Sequence, residues 1–395
     1  MLRASAVLVA GAAITACSAG PAPAPPSARI SPTSPAPTST RPSTRASYGA
    51  NGTHFPVDLN WPGEQAALEF EAECTWTDIA RRVQGLTAAE VAAGVIIRVL
   101  PGTLPGGGGQ SSSPAVMTQV GNQNWTRNVL IVPRDGFGSV LVSPEGIRID
   151  ECARLSFFGF LSEGSFTLTR CVDLQMGWSR WSGAGVTRGA RNIAFYELIL
   201  GFRRGQDDTA GFRPIETFEM TGLERHGCVF GPSVKPEGDS AHIDTVQLEG
   251  TGTGPFGGYD NTDCVDFGSS NSVNVLHTRL SYASFAHCMI LGGQLPWTVY
   301  PLAAGDYQGD PNAFAGGCLD VRLSDSIVVG PIGSLGYTSV TDTRLSYQPV
   351  ESQAPSGSGA WTVDPSIASW GRADIMSMQE IPDYETSTLT ALWAW

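Results

Sequence analysis

Lysine is almost absent from this sequence. Lys235 is the only lysine among 24 basic residues, and charged residues make up 15% of the 395 positions. The formal net charge is -13. A surface this acidic repels nucleic acid and most polyanionic polymers. The composition therefore excludes a nucleic-acid partner and makes neutral glycans the easier polymeric ligands.

Long apolar runs are also missing. The longest is Ala4–Ile14, preceded by Arg3, and it is shorter than the roughly 20 apolar residues that a membrane span takes. Its last residue, Ile14, is followed by Thr15 and Ala16 before Cys17, so the segment resembles a lipoprotein signal peptide. The resemblance implies cleavage before Cys17, acylation of its thiol and a lipid anchor in the cell membrane. An ordinary secretory signal without lipid is the alternative, and both interpretations place the protein outside the cytoplasm.

Sequence composition divides the chain into four parts. Residues 1–16 are the predicted signal peptide, and 17–47 form a tether rich in Pro, Ser and Thr that cannot bury enough apolar surface to fold. We expect the folded body over 48–349 and a capping tail over 350–395. The tether would carry the body away from the membrane.

The cysteines do not have metal-site spacing. Of the eight, seven remain if Cys17 is acylated, and the paired CxxC spacing of a thiolate zinc site is absent. We therefore predict no metal centre. Adjacent-coil disulfides are possible in an exported protein, and the candidate pairs are Cys264–Cys288 and Cys152–Cys171.

The body begins with helical signals and continues as short strands. Thr87 and Glu90 form a capping box, and 75–83 indicates an earlier helix. An apolar strand and a Pro-Gly turn follow at 94–102, an order that resembles the amino-terminal cap of parallel β-helices. No long amphipathic helix interrupts the strands that follow, which argues against alternating βαβ units.

Five short segments can be superimposed on one another. Their second residues are Cys228, Thr245, Cys264, Cys288 and Cys318, and the third residue of each is apolar. Stacked coils about 4.8 Å apart would produce such a column. We therefore predict an all-β fold, a single-stranded right-handed parallel β-helix with an N-terminal helical cap.

Strand alternation assigns the two faces of these segments. The residues predicted to point inward are Val246, Leu248, Val265, Phe267, Met289, Leu291, Leu319 and Val321. Gln247, Asp266, Ile290 and Asp320 are predicted to point outward. The outer side then gathers His242, Asp244, Gln247, Glu249, Asp263, Asp266, His287, Asp320 and Arg322.

Such a group suits glycoside hydrolysis. The reaction needs one acid and one carboxylate, about 5 Å apart for retention and about 6.5–9.5 Å for inversion, and adjacent coils supply such spacings. The predicted catalytic residues are Asp263, Asp266, Asp244, His242 and His287. The predicted substrate-binding residues are Gln247, Glu249, Asp320 and Arg322.

One short motif resembles a known family. Asn261-Thr262-Asp263, followed by Asp266, is similar to the Asn-Thr-Asp motif of polygalacturonase-type glycoside hydrolases of the pectate-lyase-like superfamily. The resemblance implies a right-handed parallel β-helix and a catalytic Asp263. The family's later Asp-Asp pair falls here on Ala286-His287, and its basic motif has no counterpart, so pectin is not the implied substrate.

Two other functions fit the same residues. A polysaccharide lyase would need a base such as Lys235, Arg279 or Arg322, with calcium held by the aspartates to neutralise a uronate. A hydrolase would need no cofactor. A non-catalytic surface module that binds glycan is the third possibility.

Overall fold

A computed structural model describes residues 52–378 and 386–395. The predicted signal peptide, Cys17 and the tether lie outside the described residues. Within them, no helix is both long and apolar enough to cross a membrane.

Nearly all strands belong to three parallel sheets. The 12-stranded sheet contains, in spatial order, Leu68–Ala72, Val95–Val99, Val129–Pro133, Leu155–Phe158, Val172–Gly177, Ala190–Tyr196, Met220–His226, Gly258–Thr262, Tyr282–Ala286, Val321–Ser324, Tyr337–Thr341 and Ser358–Gly359. The 11-stranded sheet contains Gly102–Leu104, Val140–Val142, Leu161–Ser162, Arg180–Trp181, Ile199–Leu200, Val229–Phe230, Val265–Phe267, Met289–Leu291, Ile327–Val329, Arg344–Leu345 and Thr362–Val363. The 8-stranded sheet contains Asn312–Gly316, Ser272–Leu276, Asp244–Leu248, Ala210–Arg213, Gly183–Thr187, Ser165–Thr169, Ile147–Asp150 and Met117–Thr118, and a small pair joins Arg203–Arg204 to Ser233–Val234.

Helical segments lie mainly at the two ends of the described chain. The α-helices are α1 (Trp76–Gln84), α2 (Ala88–Ala93), α3 (Pro296–Val299), α4 (Arg372–Met378) and α5 (Thr386–Leu392), and the 3₁₀ helices are Glu351–Gln353 and Pro365–Ser369.

The fold is the right-handed parallel β-helix predicted from the sequence. In each complete coil the chain passes from the 8-stranded to the 12-stranded and then the 11-stranded sheet, and every strand pair in these sheets is parallel. Parallel crossovers are right-handed in about 98% of cases. Consecutive coils pair in register, as Thr167 does with Gly185, and Gly185 with Gly211.

The predicted helical cap covers the amino-terminal end. Thr87 caps α2, and Glu90 returns the bond to the Thr87 backbone at 2.7 Å, which confirms the capping box. Ile79, Val83 and Val91 are fully buried and join the coil interior. The cap thus supplies apolar side chains to an end that would otherwise expose its core.

The superposition of five segments is correct for three of them. Cys228, Cys264 and Cys288 all follow a strand of the 12-stranded sheet by two residues and are buried inside the coil. Thr245 lies instead within a strand of the 8-stranded sheet, and Cys318 precedes a strand of the 12-stranded sheet. All seven cysteines among the described residues are free thiols, so the two predicted disulfides are not formed in this structure.

The inward and outward orientations predicted from strand alternation are partly wrong. Val246 and Leu248 point into the coil as expected. Asp266 and Ile290 were expected outside, but both are fully buried, Ile290 in the interior cluster. Leu319 was expected inside and is 75% exposed.

A second apolar cluster explains the error on the 11-stranded sheet. Four residues predicted to fill the coil interior belong instead to a cluster on the other face of their strands: Val265, Phe267, Met289 and Leu291. Ile367, Ile375, Leu389 and Trp393 of the C-terminal region cover that face, together with Phe55 and Leu59. The outer face of these strands is therefore apolar and buried, and alternation cannot distinguish it from the coil interior.

The C-terminal tail therefore does more than the end cap that we expected. Ser358–Gly359 and Thr362–Val363 extend two of the sheets. Beyond them the tail returns along the coil, and the ring of Trp393 lies 4.8 Å from that of Phe137, early in the solenoid. The end of the chain thus lies against the side of the β-helix.

Candidate active site

A two-residue turn joins the 12-stranded to the 11-stranded sheet in eight successive coils, and its first residue always has a positive φ. We call these first residues the turn column. The φ values lie between 46° and 58° at its non-glycine positions, a region that Asp and His enter more readily than most residues do. The turn column consists of Gly159, Trp178, Glu197, Gly227, Asp263, His287, Asp325 and Asp342.

Two predicted catalytic residues meet in the turn column. Nδ1 of His287 lies 2.7 Å from Oδ1 of Asp263, one coil earlier. The Asp263 side chain is 1% exposed and that of His287 is 22% exposed. A buried carboxylate at this distance fixes the tautomer and orientation of the ring. The structure therefore joins these two residues as an aspartate–histidine pair.

His54 extends the pair inward. Its Nε2 lies 2.8 Å from Oδ2 of Asp263, and its Nδ1 lies 2.8 Å from Oε1 of Glu197. Glu197 and Asp263 are two coils apart in the turn column, and the coil between them carries Gly227. A Cβ at Gly227 would lie 2.3 Å from Nδ1 of His54. Because Gly227 has no side chain, there is room for the His54 imidazole between Glu197 and Asp263.

Several groups hold this imidazole in position. The His54 backbone N–H donates to Glu197 at 2.7 Å, and the His54 carbonyl accepts from the indole of Trp178 at 3.0 Å. The indole N–H of Trp393 donates to the second oxygen of Glu197 at 2.7 Å. Residues near both ends of the described chain therefore complete the site. Sequence reasoning missed His54 and Glu197, because no motif surrounds either one.

Asp325 follows His287 in the next coil of the turn column. Its Oδ2 lies 4.0 Å from Nε2 of His287, and its side chain is 70% exposed. The arrangement is a hydrogen-bonded chain, Glu197–His54–Asp263–His287, with an exposed carboxylate beyond it. An imidazole and a carboxylate in this geometry can transfer protons to and from a bound substrate.

Polar and aromatic side chains line the outer face of the 12-stranded sheet beside the turn column. The rings of Tyr196 and His226 stack at 4.9 Å, and His226 lies 3.3 Å from Glu224. The His226 hydrogen bond lowers the pKa of Glu224. Glu224 and Asp260 are register neighbours on adjacent strands. This face presents both aromatic surface and carboxylates to solvent.

The same face continues through the predicted substrate-binding residues Asp320 and Arg322. The Tyr282 hydroxyl donates to Asp260 at 2.7 Å, and this bond raises the pKa of Tyr282 to about 12. The Arg322 guanidinium lies 4.6 Å from the centre of the Tyr282 ring and donates to Asp320 at 3.0 Å. Asp320 and Arg322 thus lie on the sheet next to the turn column.

The Asp266 carboxylate forms a buried ion pair within the fold. Both its oxygens accept from Arg225, at 2.8 and 2.7 Å, and both side chains are fully buried. Asn274 also donates to Asp266 at 3.1 Å. The predicted outward orientation of Asp266 is wrong, and its carboxylate cannot reach a substrate. Alternation failed here because a buried guanidinium partner makes an inward carboxylate tolerable.

The remaining predicted residues lie on another side of the β-helix. His242, Asp244, Gln247 and Glu249 belong to or flank a strand of the 8-stranded sheet, and the structure does not bring them to Asp263. Nδ1 of His242 lies 3.2 Å from Asp244, whose side chain is fully buried. Gln247 accepts a hydrogen bond from Arg213, and Glu249 is exposed.

Only one of the three bases predicted for a lyase lies near the turn column. Lys235 donates to the carbonyl of Ala241 at 2.6 Å, and Arg279 donates to two loop carbonyls. Arg322 alone of the three lies beside the turn column. Among the described residues, no group of three or more His, Cys, Asp or Glu side chains has the geometry to hold a metal ion.

Comparisons with known proteins add little to this picture. No family model matches the sequence, and neither does any curated protein. The structure is similar to that of pectate lyase Pel9A, with 11% identity, a TM-score of 0.37, and coverage of 77% of this chain and 79% of that chain. It is also similar to a rhamnogalacturonan lyase, with 10% identity, a TM-score of 0.30, and coverage of 71% and 80%. Similarity at this level concerns the parallel β-helix, which the sheet topology establishes independently.

Proposed function

We propose that the protein is a polysaccharide-active enzyme, a glycoside hydrolase that binds its substrate across the 12-stranded sheet beside the turn column. The observation that carries the proposal is the hydrogen-bonded chain that ends at His287, with Asp325 at 4.0 Å. The His226 ring, which stacks on the buried Tyr196, and the Tyr282–Arg322 pair offer the partly exposed surfaces on which sugar rings can pack. The acidic composition favours a neutral glycan.

Each group has a distinct role in the proposed reaction. His287, as an imidazolium whose Nδ1–H is held by Asp263, donates its Nε2 proton to the glycosidic oxygen. The glycosidic bond breaks as the exposed Asp325 carboxylate attacks the anomeric carbon, and the leaving sugar departs as an alcohol. Water then attacks the same carbon, the neutral Nε2 of His287 takes a proton from this water, and the ester bond to Asp325 breaks. The Nε2–Oδ2 separation of 4.0 Å leaves no room for a water molecule between the two groups, which favours direct attack by Asp325 over attack by an activated water. Asp263 acts through His287, as a positioning residue.

The β-elimination of a uronate polymer is the second candidate. Arg322 favours it, because this guanidinium lies three positions before Asp325 and could neutralise a substrate carboxylate. His287, held by Asp263, would then remove a proton from carbon. The similar structures named above are described as lyases of pectate and rhamnogalacturonan, but similarity this low carries no weight for either reaction.

We place the enzyme outside the cytoplasm, attached through Cys17. The support is the signal segment that precedes Cys17 and the Pro-rich stretch that follows it. An anchored body at the end of a tether could reach glycans of the cell envelope.

Variants of the turn column test the proposal. His287→Gln and Asp325→Asn should each lower turnover by at least about 10²-fold, the low end for general acid–base catalysis. Asp342→Asn is the matched control, because Asp342 occupies the next coil of the same column with φ 48°. Its activity should stay near wild type.

The products distinguish the candidate functions. Neutral and acidic polysaccharides would be incubated with the purified protein, and both reducing ends and the ultraviolet absorbance of unsaturated sugars would be followed. Reducing ends with retained anomeric configuration support the hydrolase. Unsaturated products indicate the lyase. Binding without any product would contradict both and favour a binding module.

A further inference from the structure

A second cleft lies on the outer face of the 8-stranded sheet, away from the turn column. It encloses about 410 Å³ and is bordered by the segment 203–208 and by His242. Its floor is a row of register neighbours, Thr167, Gly185 and Gly211, and the row continues to Gln247. The three strands that line the cleft, about 4.8 Å apart, give it a floor roughly 10 Å long. This length accommodates a short oligosaccharide.

The backbone does not require glycine at Gly211. Its φ is not positive, and a Cβ there would find its nearest neighbour at 3.5 Å, in the flexible side chain of Arg213. Glycine weakens the interior of a strand and often marks a place where a ligand approaches the backbone. Gly211 thus leaves a half-buried stretch of backbone on the cleft floor, with the Arg213 side chain as its nearest neighbour.

The polar groups around the trough carry no excess of positive charge. Arg203 donates to the backbone carbonyls of Asp207 and Asp208 at 3.1 Å each, and Arg213 pairs with the Asp208 carboxylate. The buried Asp244 lies beside Asp208, so three carboxylates accompany two guanidinium groups and nothing here attracts a polyanion. Groups of both signs can exchange hydrogen bonds with sugar hydroxyls.

Asp208 holds Arg213 at the border of the cleft. Its side chain is 7% exposed. Burial raises the pKa of Asp208 to about 6, and the neighbouring Asp244 charge adds to the effect. Its Oδ1 accepts from the Asp244 backbone N–H at 2.9 Å and its Oδ2 pairs with Arg213, so the 44% exposed Arg213 side chain is the group that can reach a sugar hydroxyl. His242, on the cleft border, is held by the buried Asp244 at 3.2 Å.

We propose that this cleft is a second, non-catalytic binding site for a neutral oligosaccharide, which lies along the Thr167–Gly185–Gly211 floor. The site is separate from the turn column, so it does not depend on the reaction proposed there. A polymer bound at both places would stay attached between cleavages.

Equilibrium binding tests the cleft. The His287→Gln protein, which should not consume its ligand, would be titrated by calorimetry with cellohexaose, xylohexaose and mannohexaose, and with trigalacturonate as the anionic comparison. Adding Gly211→Val places a branched side chain, well suited to strands, in the trough. It should remove one equivalent of bound neutral hexasaccharide while the melting temperature stays equal or rises. Gly85→Val is the control, because Gly85 lies outside the cleft, has a negative φ of -78°, and a Cβ there would meet nothing closer than 3.4 Å.

The outcomes are separable from those of the proposed reaction. Unchanged stoichiometry with Gly211→Val, binding of trigalacturonate alone, or no binding of any neutral hexasaccharide would each overturn the proposal, whatever the enzyme assays show. If Gly211→Val does not fold, His242→Ala decides, because the His242 side chain is 66% exposed and dispensable for packing. It should weaken binding several-fold, and unchanged affinity would again overturn the site.

Discussion

His54 Nε2 lies 2.8 Å from Oδ2 of Asp263, although 209 positions separate the two residues in the sequence. The contact exists because Gly227 leaves a gap in the turn column and the N-terminal segment places an imidazole in it. His54 thereby links carboxylates that are two coils apart. A solenoid otherwise connects only neighbouring coils.

Filling the gap at Gly227 should disconnect this chain of hydrogen bonds. In Gly227→Ala the new Cβ would lie 2.3 Å from Nδ1 of His54, so we expect the ring to leave its place and turnover to fall to the level of His54→Ala. Gly138→Ala is the matched control, because Gly138 also has positive φ but its Cβ would meet nothing closer than 3.8 Å. Equal activity losses in the two variants would attribute the effect to backbone strain.

The Arg225–Asp266 pair should be essential for stability. Asp266→Asn leaves a guanidinium buried without its charge partner, which typically costs about 3–5 kcal/mol in the free energy of unfolding. The double variant Arg225→Met, Asp266→Leu should recover much of this loss. Asp320→Asn, which affects the exposed Arg322 pair, should cost less than about 1 kcal/mol. Urea denaturation measures all three; full stability in Asp266→Asn would contradict the buried pair.

Asp208 should make stability depend on pH. Its folded pKa of about 6 lies above the ordinary value of 3.8, so the folded state holds a proton that the unfolded state has lost. Stability should therefore fall as pH rises from about 4 to about 6 and then level off. Asp208→Asn should remove this pH dependence, which is measured as the melting temperature at a series of pH values over the same range. An equally large pH dependence in the variant would assign the effect to other groups.

Cys17 should determine where the protein is found. Acylation needs the thiol, so Cys17→Ala should release the protein from the membrane fraction or block its maturation. Fractionation followed by immunoblotting measures this. Wild-type processing together with wild-type membrane attachment would refute the lipid anchor.

The fold was predictable because its signals are local. The capping box at Thr87, the apolar strands and the recurring cysteines each arise from a few neighbouring residues, and coils repeat them. The pairing of Asp263 with His287 was also accessible, since both precede a cysteine of one column. Coil stacking then brings them together.

The remainder of the site depends on contacts that no local pattern records. His54 comes from a segment before the first strand, and Trp393 directly follows the last helix. The face of Asp266 was wrong because the C-terminal helices bury the outer side of the 11-stranded sheet. Alternation gives the right face only where the other face meets water.

The positive φ of the turn column limits which side chains can be recruited there. Branched residues such as Val, Ile and Thr are strained in that conformation, whereas Asp, His, Asn and Gly tolerate it. Each coil thus provides one such position, about 4.8 Å from the next. The residue types that this position accepts include several that can transfer protons. Substitutions at Asp325 or Asp342 could introduce new chemistry while the backbone of the coil is retained. The turn column is therefore the natural place to redesign the protein.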